Sequence, residues 1–319
     1  MTPNFSLTPQ SIVADGESEQ AKAAHSNRRV LVVGAGPVGH AWAKRLLAAG
    51  YTLRHWSRSM GPLWAETATR EAADVVLLAV RDDAVAQAAQ FVVTHGGAGA
   101  QSVLLHCAGA LSPQAVFADV RGQVAGVGLL HPLRSFSAAA AGLAGAASDS
   151  ATDGDLAGVV MAVAGDALGQ TVACELATAV GGVPLQLSAE QLPVYHAAAV
   201  MAAGHVAAVL DAAAQLLRRI GLPRRQAELA LTGLTRSVLD NVEQVGLPAA
   251  LTGPFARGDV QTVQSHLVAL NRISCEAADL YRTLGQTALN VAHRQARAEP
   301  SALEQIAALL EPSPTPATR

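Results

Sequence analysis

The segment Gly34-Ala35-Gly36-Pro37-Val38-Gly39 carries the sharpest chemical signal in the sequence. Its Gly-x-Gly-x-x-Gly spacing follows the apolar run Val30–Val33 and runs straight into the helix-forming stretch Ala41–Ala49. Set between a strand and a helix, this spacing is the dinucleotide-binding fingerprint. Gly34 permits the tight turn, Gly36 lets a pyrophosphate approach the backbone, and Gly39 lets the helix pack close to the strand. The helix N-terminus then offers unpaired N–H groups and a partial positive charge to the phosphates. In a chain with 28 glycines an ordinary Gly-rich turn is the plainer alternative, but the strand–turn–helix setting argues against it.

The other candidate residues fall at the ends of the strands that follow. The second strand ends in Arg54-His55-Trp56-Ser57-Arg58-Ser59, with no acid to hold a ribose 2′-hydroxyl. Ser57 and Arg58 suit a 2′-phosphate instead, so NADP(H) is the expected cofactor, with a basic surface loop as the alternative. Val80 ends the next apolar strand on the edge where ligands sit, and Asp82 or Asp83 after it is expected to cap a helix. In Leu105-His106-Cys107-Ala108-Gly109, Gly109 lets the backbone pass near the nicotinamide ribose; His106 is either a cofactor contact or a core histidine. Cys107 has no cationic neighbour in sequence to make it a thiolate nucleophile.

Proton transfer at neutral pH points to histidine. His131, beside Pro132 at a strand end, and His196, at the start of a later helix, are the two candidates; the alternative for His131 is a turn-shaping role. His196 and His205 are nine residues apart and point to opposite faces of an ideal helix, which favours His196. Further on, Thr252-Gly253-Pro254-Phe255-Ala256-Arg257-Gly258-Asp259 feeds a helix capped by Asp259, where Arg257 could meet an anionic group unless it is merely solvated. His266 should share a helix face with Asp259, and Asn241 is an unforced polar residue within a helix. No metal-ligand spacing and no Gly-x-Ser-x-Gly elbow is present in the sequence; hydride chemistry needs neither, because the cofactor carries it.

These residues need a scaffold, and the pattern describes one. Strands are expected at Val30–Val33, Tyr51–Trp56, Asp74–Val80, Ser102–His106 and Val124–Leu130, then Gly158–Ala164, a helix over Ala167–Val180, and Val183–Leu187. Alternating strands and helices make an α/β fold: an N-terminal Rossmann-type, doubly wound, mostly parallel sheet. From Ser188 strand signals vanish and Ala/Leu-rich helices take over, giving an all-α C-terminal domain. The expected divisions are a flexible leader (1–28), an NADP-binding domain (29–188), a helical dimerisation and substrate domain (189–299), and a last helix end with a loose tail (300–319). Of the 319 residues 50% are hydrophobic, 15% charged and 3% aromatic, so a large core of Ala, Val and Leu is available. The net charge of −3 gives no basic field for nucleic acid. Three scattered cysteines fit a reducing cytoplasm. The mean hydropathy of +0.28 raises a membrane reading, but the best candidate, Tyr195–Leu217, carries His196, His205 and Asp211 and is expected to be a buried helix. Ala-rich helices bury well only against close neighbours, so a homodimer through the helical domain is expected.

The motifs around Gly34–Gly39, Leu105–Gly109, His131-Pro132-Leu133 with Phe136, Tyr195-His196-Ala197-Ala198-Ala199 and Leu251–Asp259 occur in an order that resembles a bacterial Rossmann-like family. Its helical half is known only as a domain of unknown function. That family is similar to pyrroline-5-carboxylate reductase, ketopantoate reductase and the β-hydroxyacid dehydrogenases. The resemblance spans residues 29–295; it implies an NADP-binding domain, a helical dimerisation domain and a site between them, but no substrate. Gly204 departs from the family, which prefers Asn there. The expected activity is reduction of a small oxo or imino acid, with His131 or His196 giving the proton and Arg257 orienting a carboxylate. The alternative is a dinucleotide-binding sensor without turnover.

Overall fold

The computed structural model describes residues 28–61, 71–136 and 155–311. Apart from Arg28 the expected leader lies outside the described residues, as does the tail beyond Glu311. The chain divides into two units, Met1–Val200 and Met201–Arg319.

The first unit is built on β1 (Arg29–Val33), β2 (Thr52–Trp56), β3 (Val75–Leu78), β4 (Val103–His106), β5 (Gly126–Pro132), β6 (Val160–Gly165) and β7 (Val183–Gln186). They form one sheet in the order β2-β1-β3-β4-β5-β6-β7. The first five strands are parallel, β6 runs antiparallel to β5, and β7 is parallel to β6. The sheet is thus the Rossmann-type, mostly parallel one the pattern describes. Val33 pairs with both Trp56 and Leu78, so the chain leaves β1 to one side and returns on the other. A ligand crevice is expected outside the strand ends at such a switch point.

The strands are apolar throughout because both faces are covered. Val30 and Val32 pack with Trp42 and Leu46 of α1 (Pro37–Ala48) and with Leu176 of α4 (Ala167–Ala179). Leu31 and Val33 pack on the opposite face with Val85 and Val92 of α2 (Val85–Thr94) and with Phe117, which follows the short α3 (Pro113–Val116). Each such side chain, fully buried, contributes about 1.5–3 kcal/mol.

Three local expectations need correction. The strand expected at Val124–Leu130 runs on to Pro132, because His131 and Pro132 pair with Ala162 and Met161 of the antiparallel β6. Neither Asp82 nor Asp83 caps α2 through its side chain; both lie in a 3-10 turn, where the Asp83 carboxylate pairs with Arg81 at 2.9 Å. The apolar helix expected to be buried is not. It runs over Leu192–Arg219, and only 6% of its most apolar window is buried. It is long and apolar enough to cross a membrane by length and composition. A π-helical turn at Met201–His205 separates α5 (Leu192–Val200) from α6 (Val206–Arg219) and breaks the phase used to compare His196 with His205.

In the second unit α6 packs on α7 (Arg224–Val245). A core of Val263, Leu267, Leu289, Leu303, Ile306 and Leu310 joins α9 (Val260–Ile273), α10 (Cys275–Gln295) and α11 (Pro300–Leu310), beside the short α8 (Gly253–Arg257). Leu229 and Leu234 on α7 remain 65% and 63% exposed.

Candidate active site

The glycine turn lies where the switch point requires. Gly34 has φ +128°, and a Cβ there would strike the Ala79 carbonyl. A Cβ on Gly39 would strike the Gly34 carbonyl, so both positions demand glycine for packing. Gly36 differs: nothing stands within 4 Å of where its Cβ would be. It opens α1 with no side-chain cap, followed by Pro37 at the first helical position. Gly36 therefore borders open space at the positive end of α1, as the approach of a pyrophosphate requires. Ala35 lies within the same turn, and the Val80 side chain reaches its rim, 3.4 Å from the Cβ position of Gly34.

Two histidines missed from sequence brace this turn. His55 bonds the Gly34 carbonyl at 2.7 Å through Nε2, and His40 bonds the Gly36 carbonyl at 3.1 Å through Nδ1. A carbonyl only accepts, so each of these ring nitrogens carries hydrogen. Their rings meet edge to face at 4.9 Å. No sequence signal pairs residues on α1 and β2 in this way. Ser57 and Arg58 follow directly on Trp56, whose carbonyl accepts the Gly34 N–H at 2.9 Å. The Ser57 and Ser59 hydroxyls bond each other at 2.8 Å, and Arg58 is exposed.

A second constellation stands at the same carboxyl edge, beyond β4 and β5. Gly109, His131, Tyr195 and His196 meet there. A Cβ on Gly109 would lie 2.6 Å from His196 Nδ1 and 3.0 Å from His131 Nε2, so two imidazole nitrogens converge on that backbone. The two rings are 5.7 Å apart. His131 Nδ1 is 2.8 Å from the Tyr195 hydroxyl, and His196 Nδ1 is enclosed without a partner. Burial first, then the nearby His196, lowers the His131 pKa to about 4. Burial raises that of Tyr195 to about 12. At neutral pH the imidazole is uncharged and the phenol keeps its proton. Tyr195 was visible in sequence only as the neighbour of His196; its bond to His131 spans 64 residues.

His106, expected as a cofactor contact or a core histidine, is the latter. It is 0% exposed, packs edge to face on Phe117, and its Nδ1 accepts the Ala108 N–H at 3.2 Å. Burial pushes its pKa down to about 3, with His131 adding to the effect. A ligand cannot reach it while that core is closed. Burial likewise pushes the Cys107 thiol up to about 12, the opposite of nucleophile activation.

The remaining candidates lie in the second unit. Asp259 caps α9, accepting the Thr262 N–H at 3.0 Å and its hydroxyl at 2.7 Å. Those bonds, led by the hydroxyl, lower its pKa. Arg257 stands 3.9 Å from Asp259 with its side chain 65% exposed. Asn241 is exposed on α7. His266 bonds the Tyr281 hydroxyl at 2.9 Å, a second His–Tyr pair that sequence reading did not foresee. Among the described residues no group of three or more His, Cys, Asp or Glu could hold a metal ion.

No curated protein matches the sequence. Solved structures do share the fold. A protein from Thermotoga maritima is 23% identical, with a TM-score of 0.61 over 84% of this chain and 100% of its own. A Bacteroides fragilis protein assigned as an NADP oxidoreductase is 18% identical, with a TM-score of 0.63 over 83% and 99%. Pyrroline carboxylate reductase from Plasmodium falciparum, solved with NADP bound, is 13% identical, with a TM-score of 0.51 over 89% and 100%. Residues 159–288 match a family described as a domain of unknown function, DUF2520, and the chain shares the Rossmann-type fold of the solved structures.

Proposed function

We propose that this protein is an NADP(H)-dependent reductase of a small oxo or imino acid. One observation carries the reading: an uncapped, glycine-lined helix start and a pair of converging imidazoles share one carboxyl edge of a parallel sheet. That edge is where doubly wound sheets bind nucleotides. The solved NADP-binding relatives of the same fold support the choice of cofactor. A reduced nicotinamide supplies the hydride; the chain supplies grip, orientation and a proton.

In this reading Gly34, Ala35, Gly36, Pro37, Val38 and Gly39 hold the pyrophosphate, and Val80 lines the turn. Ser57 and Arg58 hold a 2′-phosphate, and Gly109 admits the nicotinamide ribose. Such an Arg–phosphate contact is short and charge-assisted. His131 or His196 protonates the substrate atom that gains electrons. Arg257 orients a substrate carboxylate, Asp259 holds the loop that carries Arg257, and Asn241 adds a polar contact.

We also propose a cytoplasmic homodimer. Exposed Leu234, Val238 and Val245 recur at helical spacing along one face of α7, an apolar stripe of the kind that marks an interface. The Ala-rich helices α5 and α6 suit close approach by an identical helix, whereas His196, His205 and Asp211 along the same run suit a bilayer poorly.

The test is NADPH consumption, followed by absorbance, with a panel of small 2-oxo and cyclic imino acids. Turnover with at least one class supports the reading. Tight cofactor binding with no turnover across the panel would favour a sensor instead.

A further inference from the structure

Resting on the reductase reading, the geometry points to Tyr195 as a positioning residue that locks His131 in its Nε2–H tautomer and aims that proton across Gly109 at the substrate. The Tyr195 hydroxyl lies 2.8 Å from His131 Nδ1. One hydrogen lies between these atoms, and its owner decides the tautomer. A phenol oxygen is a poor acceptor because its lone pair is drawn into the ring, whereas an imidazole nitrogen is a good one. Tyr195 therefore donates, Nδ1 accepts, and the neutral ring carries its hydrogen on Nε2.

Nε2 is the atom on the Gly109 side, 3.0 Å from the position a Cβ would take. His196 Nδ1 approaches the same point from 2.6 Å and has no other partner. A substrate carbonyl oxygen or imine nitrogen that reached His131 Nε2 beside Gly109 would meet a donor rather than a bare lone pair. A neutral imidazole can polarise such an atom without being charged first.

The proton balance closes through the pair. Hydride supplied to the substrate carbon by a bound reduced nicotinamide would move the C=O or C=N electron pair onto oxygen or nitrogen. That atom takes the Nε2 proton while Nδ1 takes the phenolic proton from Tyr195; after product leaves, Nε2 takes a proton from water and Nδ1 returns its proton to the phenolate, which restores the starting tautomer. Tyr195 touches neither substrate nor cofactor in this scheme; it acts through His131.

The test is ¹⁵N NMR of histidine-labelled full-length protein, with His131→Gln used to assign the His131 signals. The expected wild-type spectrum shows a pyrrole-like Nε2 and a pyridine-like Nδ1 for His131 at neutral pH. Tyr195→Phe should convert it to a tautomer mixture and lower kcat by about 10²-fold, with KM little changed. A wild-type Nδ1 that carries the hydrogen would overturn the assignment, even if the Phe variant proves unable to fold. So would an unchanged tautomer ratio in a folded Phe variant, or an unchanged kcat. The spectrum needs neither cofactor nor substrate. A correct tautomer without turnover on the whole panel would refute the reductase reading while upholding the Tyr195–His131 lock.

Discussion

Gly109→Ala tests the converging imidazoles with a single methyl group. Its Cβ would lie 2.6 Å from His196 Nδ1 and 3.0 Å from His131 Nε2. Ordinary contact begins near 3.4 Å, so the first nitrogen must retreat by about 0.8 Å and the second by about 0.4 Å. The backbone itself is not strained, since Gly109 is not among the glycines with positive φ. Overpacking of this kind costs about 1–3 kcal/mol of stability. A displacement approaching 1 Å at reacting groups costs about 10²-fold in rate. The expected outcome is a folded protein whose kcat falls about 10²-fold and whose NADPH affinity, because Gly109 also admits the nicotinamide ribose, weakens by less than kcat does. Steady-state kinetics with calorimetric NADPH titration read both numbers. A folded Gly109→Ala variant with wild-type kcat would refute the placement of chemistry at His131 and His196.

Arg58→Ala removes a charged contact worth about 1.5–3 kcal/mol; its exposure puts it near the lower limit, so NADPH affinity should fall about tenfold and NADH affinity should not change. Equal losses for both coenzymes in titration would exclude a 2′-phosphate role. His131 and His106 have folded pKa values of about 4 and about 3, below the unfolded value of about 6.5. The unfolded chain thus binds more protons, and this stability is complete above about pH 6.5 and declines as pH falls toward 4. Thermal melts should show Tm dropping over that window, with a shallower slope in His131→Gln. Leu234→Glu, at a 63% exposed position, should leave the subunit fold within about 0.5 kcal/mol but yield monomers by light scattering. Wild-type protein that is already monomeric would remove the dimer proposal.

Much of this site could be read from the chain because its chemistry is local. Gly34, Gly36 and Gly39 are spaced by what one turn must do, so three letters revealed the turn, the helix start and the edge of the sheet. The apolar runs of β1, β3 and β4 were legible for the same reason: strands buried on both faces cannot alternate. His131 and His196 were found from their places at element ends. Long-range pairing was not legible. The Tyr195–His131 bond and the His55 brace join residues on different elements, and no spacing encodes them. The antiparallel β6 carried β5 two residues beyond its expected end. His106 was undecided because composition cannot tell a strand-end histidine facing the core from one facing a ligand. The exposed faces of α6 and α7 escaped notice because apolar, Ala-rich helices look alike whether their own chain covers them or another does.

The account stands most directly on whether the Gly34–Gly39 turn holds a nicotinamide dinucleotide. Calorimetric titration of wild type and Gly36→Val measures this, because no protein atom stands within 4 Å of where the added Cβ would be and the side chain enters the open space above the turn. The prediction is saturable NADPH binding by wild type, tighter than NADH, and its loss in a variant with unchanged Tm. Intact wild-type protein that ignores both coenzymes at about millimolar concentration, or a Gly36→Val variant that binds NADPH as well as wild type, would contradict it.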